Sequence, residues 1–390
     1  MRRKILLVFF NLALLALLLF VVDVLVGFLY PRLAPAYGRK NLDILLGKVN
    51  TTKALNERPH PYMLWENTPE YISEAGIKQT NKQGYRNESD ISPLPGPDTL
   101  RILTLGGSTT YGYLLDGPED AWPSQLEQIL NRHIGEKPLQ EYRRVEVING
   151  SLLYGTSAEL LLHYLFRDRY LGAQIVVLHT GENDAGPLLF DDYNPEYTHF
   201  RPGWSAPSYS LRRGELPLIK HSNIVKFFYA CWLKDSVALP YINKQSKSFD
   251  LAESYYTENA KRNQPVGFER NLDLLLRNIV ADGATPILFP GVFPTEKAYQ
   301  ELQPEAAKRA AYTKNIHAAT PIAMEKDREV MFRLSEKYKI PFIELSPDNI
   351  PAQDFLDHVH LSKQGEAIKA AFVADNILRL RQMAPNQGKK

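Results

Sequence analysis

The sequence predicts an α/β protein in which a parallel β-sheet is covered by helices on both faces. Short apolar segments recur along the chain, and the segment at residues 175–178 is entirely apolar. Strands of this kind are buried on both faces, which is typical of parallel sheets. Between them lie segments whose apolar residues recur at helical spacing, such as Leu126, Ile129 and Leu130. Strands that alternate with amphipathic helices indicate right-handed crossovers within one sheet.

The predicted elements follow one another in a regular order. The five predicted strands are residues 102–105, 145–149, 175–178, 285–289 and 341–345. The predicted helices are residues 122–130, 158–171 and 267–280, a helix that ends at Tyr338, and a last helix that Ser362 caps. With 390 residues, the chain is long enough to bury a large core around this sheet.

The composition excludes several classes of function. Hydrophobic residues make up 44% of the chain and charged residues 23%, which is ordinary for a globular protein. A net charge of +2, without a basic stripe, argues against nucleic acid as a partner. The single cysteine, Cys231, rules out an intrachain disulfide framework and a cysteine-based zinc site.

The first thirty residues predict a membrane anchor. A basic head at residues 1–4 precedes a run at residues 5–30 in which Asn11 and Asp23 are the only strongly polar residues. About twenty apolar residues cross a bilayer, so this run is long enough. A cleaved signal peptide is the main alternative, but its apolar core usually has only about 7–15 residues. We therefore expect an uncleaved, single-pass anchor.

The charges around this run predict its orientation. The basic head favours the cytoplasmic side, which places the large domain on the extracytoplasmic side of the cell membrane. Three basic residues that follow the run weaken this prediction: Arg32, Arg39 and Lys40.

The predicted domain organisation has four parts. The anchor (1–30) is followed by an irregular stalk (31–100), a main domain (101–382) and a polar tail (383–390). The main domain contains an insertion at about residues 186–266 that lacks a clear strand. Its aromatic residues argue against disorder: Tyr193, Tyr197, Phe200, Trp204, Tyr209, Tyr229, Trp232, Tyr255 and Tyr256. We interpret the insertion as a cap over the strand ends, with a packed decoration that contacts no ligand as an equal alternative.

Polar or glycine residues follow four of the predicted strands. Gly107 and Ser108 follow the first strand, Asn149 closes the second, and Asn183 lies in the loop after the third. The fifth strand precedes a loop at residues 357–360. The carboxyl ends of parallel strands share one edge, and ligands bind at that edge. We therefore expect these loops to form one site.

The residue types in these loops fit nucleophilic catalysis. The hydroxyl of Ser108 becomes a nucleophile only if a base removes its proton, and His360 is the natural base. Asp357, three residues before it, is placed to hold the second ring nitrogen. An oxyanion needs fixed donors, which the amides of Ser108 and Gly155 and the side chain of Asn183 would supply.

Each of these residues also has an ordinary structural alternative. Ser108 and Asp357 are possible helix caps, Asn183 a turn residue, and His360 a helix-entry residue. Four further residues receive separate interpretations: His179 as a core histidine, His358 as the partner of a surface carboxylate, His199 as an outside candidate for substrate contact, and Arg86 as one half of a surface ion pair. The functional interpretation rests on the joint occurrence of these residues in the expected order.

The motifs resemble those of the SGNH hydrolases, also called the GDSL-like esterase/lipase superfamily. Gly106-Gly-Ser108 resembles the first block of that family, with Gly in place of the usual Asp. Gly181-Glu-Asn-Asp184 resembles its Gly-x-Asn-Asp block, and Asp357-His-Val-His360 its Asp-x-x-His block. The second block is displaced: Gly155 is our choice for its glycine and Tyr154 the alternative. The resemblance covers about residues 101–185 and 268–382.

The resemblance implies a fold and an activity. It implies a flavodoxin-like three-layer α/β/α sandwich with a five-stranded parallel sheet, a Ser-His-Asp triad, and neither metal nor organic cofactor. Gly107, Gly181 and Asp184 take supporting positions in its blocks. The leading hypothesis is an anchored esterase acting on an acylated glycan, a lipid or a small ester. Acyl transfer to a glycan by the same residues, and a non-catalytic assembly protein, are the alternatives.

Overall fold

The computed structural model describes residues 2–36, 38–39, 42, 56–60, 62–136, 139, 141–200, 221–232 and 249–383. The chain divides into two compact units. Unit 1 comprises Met1–Ala54 and Gly203–Lys244, and unit 2 comprises Leu55–Pro202 and Gln245–Lys390. Trp204, Tyr209 and nearly all of the predicted polar tail lie outside the described residues.

The secondary-structure elements are numbered here in chain order. The strands are β1 (Glu57–His60), β2 (Leu64–Asn67), β3 (Thr99–Gly106), β4 (Arg144–Asn149), β5 (Ile175–Thr180) and β6 (Thr285–Pro290). The helices are α1 (Arg2–Leu33), α2 (Ser108–Tyr111), α3 (Trp122–Glu136), α4 (Ser157–Phe166), α5 (Glu182–Ala185), α6 (Asn223–Trp232), α7 (Glu253–Arg262), α8 (Val266–Ala281), α9 (Glu296–Gln300), α10 (Pro304–Ala310), α11 (Ala319–Tyr338) and α12 (Lys363–Met383).

A four-stranded parallel sheet organises unit 2. Its order is β4-β3-β5-β6, so β3 lies between the next two strands of the chain. Leu103 of β3 is aligned with Ile148 of β4 on one side and with Val176 of β5 on the other. The carboxyl ends of all four strands therefore lie at one edge. The predicted α/β class with a parallel sheet is confirmed.

The predicted fifth strand is wrong as a strand. Residues 341–345 contribute one isolated parallel bridge, between Leu288 and Phe342. Two hydrogen bonds form it: Leu288 N–H donates to the Pro341 carbonyl and Ile343 N–H donates to the Leu288 carbonyl, both over 2.9 Å. Pro341 has no N–H to extend the ladder, and a short 3₁₀ turn begins at Pro347. The sheet therefore ends in a bridge.

Helices cover both faces of the sheet. Ile102 points to one face, where it packs against α3 and α12 through residues such as Leu126 and Val373. Leu103, the next residue, points to the opposite face, which α4, α8 and α11 cover. Burying one such aliphatic side chain stabilises the fold by about 2 kcal/mol. The two apolar clusters make the predicted three-layer sandwich.

Two helix starts next to the site are fixed by their caps. Thr156 and Glu159 form a capping box at the start of α4. The hydroxyl of Ser362 accepts a hydrogen bond from the Gly365 N–H over 3.2 Å, so the predicted cap of the last helix is present.

Residues 56–100 form part of unit 2. The antiparallel hairpin β1-β2 begins the segment, and its turn follows His60. The amide of Asn67 donates to the Ser151 carbonyl over 2.9 Å. The amide of Asn87 donates to the Val147 carbonyl over 2.8 Å. These contacts join the segment to β4 and to the loop that follows it.

The described parts of the insertion belong to different units. Phe190, Phe200, Phe249 and Tyr256 pack with the first half of α11 in an apolar cluster of unit 2. These ends of the insertion are therefore packed onto unit 2. Residues 221–232, in contrast, belong to unit 1 together with α1.

Helix α1 is long and apolar enough to cross a membrane. Residues Arg3–Leu33 form the candidate span, and none of its most apolar window is buried in the protein. A span at this place in the chain also fits a signal sequence. The helix thus agrees with the apolar run that the sequence analysis singled out.

Candidate active site

Ser108 lies at the carboxyl edge of the sheet, directly after β3. Gly107 is the N-cap of α2 and provides no side-chain cap, so the amide of Ser108 lies at an uncapped helix start. A Cβ atom at position 107 would collide with the side-chain amide nitrogen of Asn183. Glycine at this position therefore lets the first loop and the third loop approach each other.

Ser108, His360 and Asp357 form a continuous chain of hydrogen bonds. The Ser108 Oγ is 2.8 Å from His360 Nε2. On the other side of the ring, His360 Nδ1 is 2.7 Å from Asp357 Oδ2. Asp357 and His360 are both buried, at 4% and 7% exposure. The structure thus brings together three residues that the sequence places up to 252 positions apart.

The carboxylate of Asp357 is held in its ionised form. Its Oδ1 accepts hydrogen bonds from the N–H groups of Val359 (2.9 Å) and His360 (2.8 Å). Burial acts to raise the pKa of Asp357, but the hydrogen bond from the His360 ring and the nearby imidazoles outweigh burial and lower that pKa well below its usual range. An ionised Asp357 orients the His360 ring with Nε2 toward Ser108.

The third loop places Asn183 beside the first loop. Gly181 has φ of +113°, a conformation that favours glycine, and it begins the turn into α5. The Asn183 Nδ2 donates to the Gly155 carbonyl over 2.9 Å. A side-chain amide carries two N–H donors, so this bond leaves a second N–H for a ligand. Asn183 thus lies between the loop of Ser108 and the loop after β4.

Asp184 has a supporting role in the same loop. Its carboxylate accepts hydrogen bonds from the Ser157 N–H (2.9 Å), the Ser157 hydroxyl (2.6 Å) and the Tyr197 hydroxyl (2.8 Å). Burial raises the pKa of Asp184 to about 6, although these hydrogen bonds act to lower it. The contacts tie the third loop to α4 and to the start of the insertion.

The loop after β4 contains both candidates for the second oxyanion amide. The N–H of Gly155 donates to the Leu152 carbonyl over 3.1 Å, so this N–H makes a hydrogen bond within the turn. Tyr154 has φ of +59°, a left-handed conformation that a residue with a side chain seldom adopts. The left-handed backbone conformation is therefore at Tyr154, the alternative to Gly155 in the sequence analysis.

The other histidines take structural positions. His179 is fully buried and stacks on Phe289 at 4.4 Å, which agrees with the core interpretation. His199 accepts a hydrogen bond from the Asn194 N–H, and its other ring nitrogen lies 3.1 Å from the Pro187 carbonyl. The ring of His199 therefore makes hydrogen bonds within its own loop, and a contact with substrate stays a prediction. His358 Nδ1 lies 3.8 Å from Asp357, and burial lowers the pKa of His358 to about 4.

Arg86 is a residue near the site that sequence reasoning misjudged. It is 1% exposed, so the expected surface ion pair is wrong. Its Nε donates to the Tyr111 carbonyl over 3.1 Å, and its guanidinium lies 4.4 Å from the centre of the Tyr111 ring. Arg86 thereby holds the end of α2, the helix that Ser108 begins. Its place among neutral polar residues, between Tyr85 and Asn87, gave no charged partner to read from the sequence.

A buried ion pair supports the other side of α2. Lys369 Nζ lies 2.9 Å from Glu366 Oε1, and both residues are 1% exposed. The same ammonium donates to the Thr109 carbonyl over 2.9 Å. Thr109, the residue after Ser108, is thereby fixed to α12. No group of three or more metal-ligating side chains occurs among the residues that the structure describes.

A cavity of about 540 Å³ lies at the same edge of the sheet, after β5 and β6. Its lining includes Gly181, Phe293, His317 and Asp327, but not the serine, histidine or aspartate of the hydrogen-bonded chain. Asp327 is 1% exposed, and neither of its carboxylate oxygens has a hydrogen-bond partner. Burial, together with the nearby carboxylates of Asp184 and Glu182, raises the pKa of Asp327 well above its usual range.

Comparisons with known proteins were made for the whole chain. No family model matches it, and no curated protein sequence matches it. Among solved structures it is similar to a carbohydrate acetylesterase from Sinorhizobium meliloti, at 14% identity and a TM-score of 0.40 over 72% of this chain and 99% of the other. It is also similar to a GDSL-like lipase from Bacteroides thetaiotaomicron (14% identity, TM-score 0.37, 72% and 89% of the chains). A third is a lipolytic protein of the G-D-S-L family from Desulfitobacterium hafniense (13% identity, TM-score 0.37, 71% and 98% of the chains). Two of these names are those of the family that the sequence blocks resemble.

Proposed function

We propose that this chain is a membrane-anchored serine ester hydrolase of the SGNH type. The observation that carries the proposal is the hydrogen-bonded chain from Ser108 through His360 to Asp357, with separations of 2.8 Å and 2.7 Å. A hydroxyl, an imidazole and an ionised carboxylate in this order form the arrangement that activates a serine for acyl transfer.

The mechanism follows from the contacts. Ser108 Oγ attacks the ester carbonyl carbon while His360 Nε2 takes the hydroxyl proton. The carbonyl oxygen becomes an oxyanion, and His360 then gives the proton to the leaving alkoxide. A water molecule, deprotonated by His360, attacks the acyl-Ser108 ester and releases the acid. Asp357 stabilises the imidazolium that forms in each half-reaction.

Two donors for the oxyanion are the Ser108 N–H and the second N–H of Asn183. Gly155 and Tyr154 are the two candidates for the third donor, and the Gly155 N–H also donates to the Leu152 carbonyl within the turn. The left-handed backbone at Tyr154 marks the conformation of this loop as unusual, and such conformations are often kept at functional sites. Fixed donors of this kind stabilise the developing charge without reorganisation.

The proposed substrate is a carboxylic ester of a glycan, a lipid or a small alcohol. Helix α1 would hold the chain in the cell membrane, and the basic residues at its start favour an extracytoplasmic hydrolase unit. The proposed organisation keeps an anchor at residues 1–30 and a hydrolase domain at residues 101–382. To these the structure adds residues 56–100, which pack into the same unit.

The test is ester hydrolysis by the detergent-solubilised full chain, with p-nitrophenyl acetate and longer acyl homologues as substrates. Ser108→Ala should lower kcat by about a thousandfold or more, since it removes the nucleophile. Ser124→Ala, which changes a hydroxyl on α3, is the matched control and should leave the rate unchanged. Activity of Ser108→Ala within tenfold of the wild type would refute the proposal.

A further inference from the structure

Asp23 is the one acidic residue in helix α1, and a segment from far along the chain satisfies it. Its Oδ1 accepts hydrogen bonds from the Ser222 hydroxyl (2.6 Å) and the Ile224 N–H (3.0 Å). The Asn223 Nδ2 donates to both Asp23 Oδ2 and the Asp23 carbonyl, each over 3.2 Å. These partners lie about 200 residues away in the sequence. The carboxylate of Asp23 in α1 therefore caps the start of α6.

The two helices continue to pack beyond this contact. Gly27 lies one turn after Asp23, and a Cβ atom there would meet the Asn223 side chain at 2.6 Å. Further along, Ala34 is 4% exposed and Ala230 is 0% exposed in one apolar cluster, to which Tyr30 and Phe227 also contribute. Small residues at the contact let the helices approach closely. Helix α6 thus begins beside Asp23 and runs along the last turns of α1.

The outer surfaces of both helices are apolar and aromatic. Phe228 and Trp232 of α6 are 66% and 59% exposed, and Phe28 of α1 is 77% exposed. A water-facing surface of this composition is unfavourable, whereas the interfacial layer of a bilayer accepts it. Trp and Tyr are enriched at that layer because their rings are apolar and carry a polar tip.

The length of α1 locates this surface relative to a bilayer. Asp23 lies nineteen positions after Lys4, which corresponds to about 28 Å of helix. The hydrocarbon core of a bilayer is about 30 Å thick. With Lys4 at one boundary, Asp23 lies at the other. There α6 begins, and its aromatic residues follow at the level of the lipid headgroups.

We propose that α6 is a second membrane contact, which packs on α1 through Asp23 and reaches the interfacial layer of the leaflet opposite the basic head with its first turns, including Phe228. This inference rests on the membrane anchoring in the proposed function, but not on the esterase activity. Because residues 222–224 donate hydrogen bonds to its only acidic side chain, α1 is part of the folded protein and is retained in the mature chain.

The natural sequence allows a depth measurement with one label, since Cys231 is its only cysteine. On a Cys231→Ser background, Phe228→Cys would carry a fluorescent maleimide in the full chain, reconstituted in phosphatidylcholine/phosphatidylglycerol vesicles. Lys308→Cys, at an exposed site of unit 2, is the matched control. Quenching by iodide in the water should be about fivefold weaker at position 228 than at 308, and quenching by doxyl-labelled lipid correspondingly stronger.

Three results would overturn the inference. Equal iodide quenching at both positions would place α6 in water. Protection from both quenchers would mean that protein covers α6. Loss of residues 1–33 from the membrane-bound chain, measured by intact mass, would show that α1 is a signal sequence.

Breaking the helix contact gives a second test. Asp23→Leu removes the acceptor, and Gly27→Leu removes the close approach, so in either variant iodide quenching at position 228 should rise to the level of the control. Both variants should hydrolyse a soluble ester in detergent at the wild-type rate, which separates this result from any failure of the esterase proposal. Unchanged quenching in both variants would overturn the role of Asp23.

Discussion

Asp357→Asn is the substitution whose effect the structure specifies most fully. In the wild type, Oδ1 accepts two backbone N–H bonds and Oδ2 faces His360 Nδ1 at 2.7 Å. Asparagine has one acceptor oxygen and one amide group. If the oxygen keeps the two backbone bonds, the amide points at Nδ1 and donates to it. The ring must then carry its proton on Nε2, where it can no longer accept the proton of Ser108.

The size of the effect follows from this change of tautomer. A carboxylate that fixes the imidazole and stabilises its cation contributes about ten-thousandfold to kcat in serine hydrolases, or about 5 kcal/mol of barrier. The two backbone bonds are retained, so the loop and the fold should persist. We therefore expect a loss of about ten-thousandfold in kcat with little change in KM.

The assay is steady-state hydrolysis of p-nitrophenyl acetate, with circular dichroism as the check on folding. Asp348→Asn, an exposed position in the 3₁₀ turn after residue 346, is the matched control and should retain full activity. A folded Asp357→Asn variant with more than a tenth of the wild-type kcat would contradict the role assigned to this carboxylate.

The same substitution has a consequence for stability against pH. Because the folded state lowers the pKa of Asp357, the folded chain releases this proton at a lower pH than the unfolded chain does. The stabilising contribution is therefore present above about pH 4, the ordinary pKa of aspartate, and is lost as the pH falls below it. Urea unfolding should show a smaller loss of stability on acidification in Asp357→Asn than in the wild type.

Three further predictions concern the surrounding loops. Asn183→Ala should lower kcat about a hundredfold through one lost oxyanion donor; an unchanged kcat would remove Asn183 from the site. Burial raises the pKa of Asp184 to about 6. Between about pH 4 and pH 6, the folded chain therefore keeps a proton on Asp184 that the unfolded chain has already released. As the pH rises from about 4 to about 6, the free energy of unfolding of the wild type should therefore fall by up to about 3 kcal/mol relative to that of Asp184→Asn. If urea titrations show that the difference between the two proteins does not change with pH, this prediction is wrong. Arg86→Met should destabilise unit 2 by about 2–4 kcal/mol, because buried carbonyls of α2 lose a charged donor, and a melting temperature equal to that of the wild type would show that the contact is unimportant.

The sequence predicted the layers of unit 2 because its strands are strongly patterned. Ile102 and Leu103 point to opposite faces of the sheet and are both fully buried, so the apolar run of β3 was a direct sign of its position. The fifth strand was overestimated because residues 341–345 are mostly apolar, and apolar character does not reveal how many ladder bonds form. Pro341 limits that number.

The sequence patterns did not predict the long-range contacts of polar residues. Arg86 interacts with backbone carbonyls, which have no residue-specific signature, so its burial could not be read from its neighbours. The pairing of Asp23 with Ser222 joins positions 199 apart. Ser108 and Asn183 follow strands β3 and β5, and the topology of a parallel sheet brings such loops to one edge, so their proximity could be predicted. Asp357 and His360 follow a segment that forms only one bridge, and their motif spacing was the signal for them.

The central claim is that Ser108 is a nucleophile activated by His360. A fluorophosphonate reacts covalently with such a serine and leaves a phosphonylated residue that peptide mass mapping locates. Stoichiometric labelling of Ser108 in the wild type, and loss of that labelling in His360→Ala, is the result that the structure predicts. An unlabelled Ser108 in a folded chain that still hydrolyses esters would contradict it.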